Sequence, residues 1–117
     1  EYTINENTIH ISAEEAWSLT DFGKLLTELF PNIKIFYRVI ECGIGIFETN
    51  DFDGKYFPEI YYLDSYINGQ CYCAYFNSMD DAIDYLREFG ITSEEEITRY
   101  NETAMPNCIY IHNIEIV

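Results

Sequence analysis

Positive charge is scarce in this chain. Six Lys and Arg stand against 21 Asp and Glu, a formal net charge of −15 at pH 7 with a pI near 4.1. A surface of that sign repels nucleic acid and anionic membrane, so neither is expected as a direct ligand, and it accelerates association with basic partners. Solubility alone is the competing reason for such an excess of carboxylates. Long apolar runs are missing as well: polar residues break every one within a few positions, so no transmembrane helix is expected. The opening Glu1-Tyr2-Thr3-Ile4-Asn5 lacks the pattern of a signal peptide. There is no G-x-S-x-G elbow, P-loop or H-E-x-x-H, which points away from an enzyme without excluding an unfamiliar site.

Cysteine is limited to Cys42, Cys71, Cys73 and Cys108. The even count is compatible with two disulfides, but 117 residues that are 48% hydrophobic and 17% aromatic can close a core without staples. Cys71 and Cys73 are one residue apart on an expected strand, so they share a face and cannot easily bridge each other. They read as reduced thiols of a cytoplasmic protein. The same apolar content excludes a disordered acidic tail. The charge therefore sits on a folded body, one acidic domain over residues 1–117.

Along the chain, Ile4, Ile9 and Ile11 flank a polar stretch and suggest an edge strand or small hairpin over residues 2–11. Ser12-Ala13-Glu14-Glu15 is a capping box that opens a helix at residue 13. Ala13, Ala16 and Trp17 oppose Phe22, Leu25, Leu26 and Leu29 at 100° per residue, which predicts a break near Thr20-Asp21 and a second helix ending before Pro31. Residues 33–47 alternate as a strand whose parity changes at Glu41-Cys42-Gly43, the mark of a bulge or reversal. Asn50 to Gly54 is a turn. Asn68-Gly69 between two alternating runs, residues 60–67 and 70–76, is the preferred two-residue hairpin turn.

Ser78 caps a helix with Ala82, Ile83, Leu86 and Phe89 inward and Gly90 at its end. Ser93 opens a shorter helix to about Tyr100. A strand over residues 108–117 changes parity at His112-Asn113. Hairpin connections imply an antiparallel sheet, so the expected fold is α+β: a single antiparallel sheet of four to six strands with helices packed mainly on one face.

Three candidate chemistries are weak. Residues 49–54 resemble the start of a calcium loop, but Thr49 and Ile60 occupy the positions that need carboxylates. Cys71 and Cys73 with Cys108 or His112 lack the Cys-x-x-Cys spacing of a zinc knuckle and read better as small hydrophobes on strands. Cys42 or Cys108 beside His10 or His112 would need a third orienting residue. No metal or cofactor is expected. A small enzyme or metal-binding domain using these residues remains as an alternative.

Carboxylate placement is more informative. Asp80, Asp84 and Glu88 recur at i, i+4 and i+8, a helical ridge with steps of about 6 Å, close to the spacing of phosphates along a nucleic-acid strand. Glu94, Glu95 and Glu96 add a cluster at the next helix start. In general physical character this resembles the acidic surfaces of small phage-encoded inhibitors that mimic nucleic acid, including antirestriction and anti-CRISPR proteins. The resemblance lies in charge and spacing, with no stretch of sequence behind it. Tyr61, Tyr62, Tyr72 and Tyr75 cannot all point inward, so an aromatic surface framed by acids is expected. These residues imply a basic protein partner, a nuclease or other nucleic-acid-binding enzyme, blocked by steric and electrostatic competition. An immunity protein that neutralises a co-encoded toxin would use the same physics. A solvated helix face favoured by the macrodipole is the plainer account of the ridge.

Overall fold

The computed structural model describes residues 2–5, 8–11 and 22–117; for residues 2–5, 8 and 22 it gives the backbone path alone. β1 (Tyr2–Asn5) and β2 (Thr8–Ile11) form an antiparallel hairpin, Tyr2 facing Ile11 and Asn5 facing Thr8. The expected helix from residue 13 and its capping box lie outside the described residues. α1 (Phe22–Leu29) follows and stops before Pro31. Its Gly23 is buried against the ring of Tyr37, so close that a methyl group there would overlap the ring.

The core is built on the Asn-Gly hairpin. β5 (Tyr61–Ile67) and β6 (Gln70–Phe76) pair in the register from Tyr61 with Phe76 to Ile67 with Gln70. Asn68 (φ 52°) and Gly69 (φ 81°) supply the two positive φ angles that such a turn requires. β7 (Cys108–Asn113) adds antiparallel to the other side of β5, giving the order β6-β5-β7. Strand alternation then sorts the side chains: Leu63, Ser65, Ile67, Tyr72, Ile109 and Ile111 point one way, and Tyr62, Asp64, Tyr66, Cys71, Cys73, Tyr75, Tyr110 and His112 the other.

Three helical segments cover the first face. α2 (Met79–Leu86) starts at Ser78, whose Oγ accepts the Asp81 N–H at 3.1 Å. A 3₁₀ turn (Arg87–Phe89) continues it and ends at Gly90, left-handed at φ 83°. α3 (Glu94–Thr103) starts at Ser93 and runs three residues beyond Tyr100. Leu63, Leu86, Ile109, Ile67 and Ile91 are almost fully buried between these layers, with Tyr72, Phe76, Phe89 and Tyr100 packed around them. Each fully buried aliphatic side chain of this kind contributes about 1.5–3 kcal/mol.

The strands do not form the expected single antiparallel sheet. β3 (Arg38–Glu41) and β4 (Ile46–Thr49) make an antiparallel pair closed by the reversal at residues 42–45, and β8 (Glu115–Ile116) joins β4 in parallel. The described strands therefore make sheets of two, three and three strands. The division lies at Ile114, which is buried where the parity of the last strand changes. Its N–H still reaches Ile60 O at 2.8 Å, but three residues later Val117 N–H donates to Thr49 O at 2.9 Å. The C-terminal strand thus leaves one sheet and enters the other. The α+β class stands, and α2, the 3₁₀ turn and α3 pack on one face of the central sheet.

Residues 34–37 differ from expectation too. They run alongside the chain without strand pairing, because the Asn50 side chain takes the partner's place: Tyr37 N–H donates to Asn50 Oδ1 at 2.8 Å, and Asn50 Nδ2 donates to Ile35 O at 2.9 Å.

Candidate functional site

Two of the acidic groups that the sequence places apart meet in one cleft. Its volume is about 540 Å³, and Met79, Asp80, Ile83, Asp84 and Arg87 line it together with Thr92, Ser93 and Glu94. The return of the chain at Gly90 and Ile91 brings this about. Ile91, buried in the core, donates its N–H to Leu86 O and pins the start of α3 beside α2. Asp80, Asp84 and Glu94 are exposed on its walls, one helical turn separating the first two.

The remaining acids fare differently. Glu88 sits on the 3₁₀ turn, where each residue advances about 120° instead of 100°, so it is carried round the axis from Asp80 and Asp84 and does not line the cleft. Glu96 turns back on its own helix start: Oε2 accepts the Thr92 N–H at 2.8 Å and Oε1 the Thr92 hydroxyl at 2.9 Å. These two bonds hold its carboxyl below the usual range. Glu95 is exposed beside Glu94 without lining the cleft. Arg87, which the sequence reading passed over, is the cation of the cleft, its Nε 3.0 Å from Asp84 Oδ1. The i,i+3 spacing of the pair was the available signal.

The four tyrosines are divided between the faces of the central sheet. Tyr61 and Tyr72 point to the helical side, where Tyr72 packs on Phe89 with ring centres 4.9 Å apart. Tyr62 and Tyr75 point to the other side and pack on each other at 5.0 Å. They form no common surface, because residues 61 and 62 are neighbours on one strand and must face opposite ways. The outer pair is partly covered: Phe47 lies 5.9 Å from the Tyr62 ring, and the Arg38 guanidinium lies 3.6 Å from the centre of Tyr75, held by Glu59 at 3.0 Å.

All four cysteines are free. Cys71 and Cys108 both stand opposite Tyr66 from either side, two strand spacings or about 10 Å apart, too far to share one zinc ion. His112 stacks on Phe47 at 3.9 Å. Among the described residues no group of three or more His, Cys, Asp or Glu is placed to hold a metal ion. Cys42 is exposed as a residue, yet its thiol is pushed up to about 11, first by desolvation and then by the Asp64 carboxylate. That is the reverse of an activated nucleophile.

The Asp-rich turn is a structural knot. Asp51 is 2% exposed; its Oδ2 accepts the N–H groups of Tyr56 at 2.7 Å and Phe57 at 2.8 Å, and its own N–H donates to Thr49 Oγ1. The carboxylate faces those amides, and Ile60 stands where a calcium loop would need its last ligand.

Comparison with family models, curated proteins and solved structures gives no match. Among the described residues, no helix is long and apolar enough to cross a membrane. Among the described residues, the cleft between α2 and α3 brings exposed charge and concavity together.

Proposed function

We propose that this protein is a small acidic inhibitory binding protein that occupies a basic, nucleic-acid-handling surface of a target enzyme, in the manner of anti-CRISPR and antirestriction factors. It acts without catalysis, in the cytoplasm, where its four thiols stay reduced. The supporting observation is the convergence of Asp80, Asp84 and Glu94 on one cleft whose lining also includes Met79 and Ile83. An inserted Lys or Arg side chain would meet carboxylates at its head and apolar surface along its stem. The net charge of −15 would steer a basic partner to the cleft, and the fixed helix starts at Ser78 and Ser93 would limit the ordering cost on binding.

Affinity capture from cells that carry candidate targets, followed by competition, tests this reading. The target is expected to be a nucleic-acid enzyme that is released when its own DNA or RNA substrate is added in excess. A captured partner indifferent to nucleic acid, or one with an acidic contact surface, would refute it.

A further inference from the structure

Two contacts fix how the β3–β4 hairpin lies on the outer face of the central sheet. Phe47 stacks on His112 at 3.9 Å and sits 5.9 Å from the Tyr62 ring. The Arg38 guanidinium lies 3.6 Å from the centre of Tyr75 and is held by Glu59, which precedes β5. Tyr62 and Tyr75 face each other across β5 and β6, and the next outer row is Asp64 with Cys73. On the hairpin, Arg38 and Ile40 share a face with Phe47, the cross-strand partner of Ile40. Arg38 marks the end nearer Glu59, so the chain runs from it through Ile40 toward the row of Asp64 and Cys73. The next position on this face is Cys42.

The surroundings of Cys42 agree with that path. Its thiol feels the Asp64 carboxylate and Cys73, and the Tyr62 hydroxyl reaches both cysteines. Both are exposed residues. Cys71 and Cys108 stand one row farther along, about 7 Å away, on either side of Tyr66. Cys42 also opens the reversal at residues 42–45, where Gly43 and the left-handed Gly45 (φ 71°) give the backbone freedom to bring its sulfur onto Cys73. A bridge there would join two facing sheets, as the inter-sheet disulfide of antibody domains does.

We propose that Cys42 and Cys73 are a redox pair that closes to a disulfide between the two sheets when a small-molecule disulfide such as oxidised glutathione accumulates, and reopens when thiols are restored. Cys73 reacts first, because the Cys42 thiol is held in its protonated form. Its sulfur attacks one sulfur of the small disulfide, forming a mixed disulfide and releasing one glutathione thiol. Cys42 then attacks the Cys73 sulfur, breaks the mixed bond and expels the second glutathione thiol, its own proton passing by way of Asp64 to the leaving sulfur. The two cysteines lose two electrons and the small disulfide gains them. Nearness offsets the low thiolate content of Cys42 in this second step. The bridge closes a loop of 31 positions (73 − 42) and locks the β3–β4 hairpin onto the central sheet.

Equilibrating the folded chain in glutathione buffers of rising oxidised share, followed by thiol alkylation and non-reducing peptide mapping, tests the proposal. Two of the four thiols should disappear together, with a peptide linking Cys42 to Cys73 that exceeds any other linked pair by roughly tenfold. The melting temperature should rise by about 10 °C and fall back on addition of dithiothreitol. Cys42→Ser should keep glutathione on Cys73 with no such rise, and Cys71→Ser with Cys108→Ser should still close the bridge. Mapping of the unsubstituted chain decides the matter if a variant misfolds. Four thiols still free in the most oxidising buffer, a mixed disulfide that persists on Cys73 of the unsubstituted chain, or bridges spread over Cys71 and Cys108 as in the chain unfolded by urea would overturn the proposal.

Discussion

Arg87 and Asp84 form an ion pair across one turn at the wall of the α2–α3 cleft, Nε to Oδ1 at 3.0 Å, with both side chains largely in solvent. An exposed i,i+3 pair of this kind stabilises a helix by only about 0.2–0.5 kcal/mol. Its greater effect is on the cleft, where it cancels one of three carboxylates. Arg87→Gln should leave the melting temperature nearly unchanged and raise the association rate with a basic partner several-fold, read by surface plasmon resonance. A slower association would mean that Arg87 itself contacts the partner.

Asp51 should anchor the loop that follows it. Burial raises its carboxyl, but the amides of Phe57, Tyr56 and Lys55 and the Lys55 ammonium outweigh that effect, and the net shift is below the ordinary 3.8. A depressed folded value gives stability that is complete above pH 3.8 and is lost as pH falls through the lowered value. Asp51→Asn should lower the melting temperature at pH 7 by roughly 5 °C and flatten the acid limb of a pH–stability profile. Parallel wild-type and variant profiles at low pH would refute this role.

Gly23 carries a test of how α1 is seated. Gly→Ala inside a helix ordinarily stabilises by about 1 kcal/mol, yet here the added methyl meets the Tyr37 ring and should destabilise by about 1–3 kcal/mol. In a Tyr37→Ala background the same change should become stabilising. Urea denaturation of the four proteins in this cycle decides it.

The Cys42 thiol should be slow to react. With its value near 11 against an ordinary 9.0, alkylation by iodoacetamide at pH 8 should be roughly a hundredfold slower than for an unperturbed thiol, and should climb until pH 11. Asp64→Asn removes the second cause of the shift and should move the profile down in pH while burial keeps it above 9.0. Mass spectrometry of the Cys42 peptide follows both. An unchanged profile in the variant would remove Asp64 from the explanation.

What could be read from sequence was local. The Asn68-Gly69 turn, the Ser78 and Ser93 caps, the Gly90 stop and the reversal after Glu41 each depend on a few adjacent residues, and each is found in place. What was not legible depends on distant partners. The split into separate sheets turns on Ile114 and on Val117 reaching Thr49, 68 positions away (117 − 49). Asn50 replacing a strand beside Ile35 and Tyr37 leaves no mark in the alternation of residues 33–37. For the site, the acids on α2 were visible as a period of four, but their meeting with Glu94 needed the fold, and the 3₁₀ turn that removes Glu88 did not show in the pattern.

The cleft's role as a recognition surface is tested most directly by comparing two charge-matched triple variants. One neutralises the cleft, Asp80→Asn with Asp84→Asn and Glu94→Gln; the other neutralises three exposed acids that do not line it, Glu28→Gln with Asp53→Asn and Glu115→Gln. Both remove the same net charge, so general steering changes equally. Association rates with the captured partner are measured by surface plasmon resonance from low to high salt. The cleft variant should associate at least tenfold more slowly than the control and show a shallower salt dependence, with both folds intact by circular dichroism. Equal rates and equal salt slopes for the two variants would contradict the proposed function and leave the cleft acids as a solvated helix face.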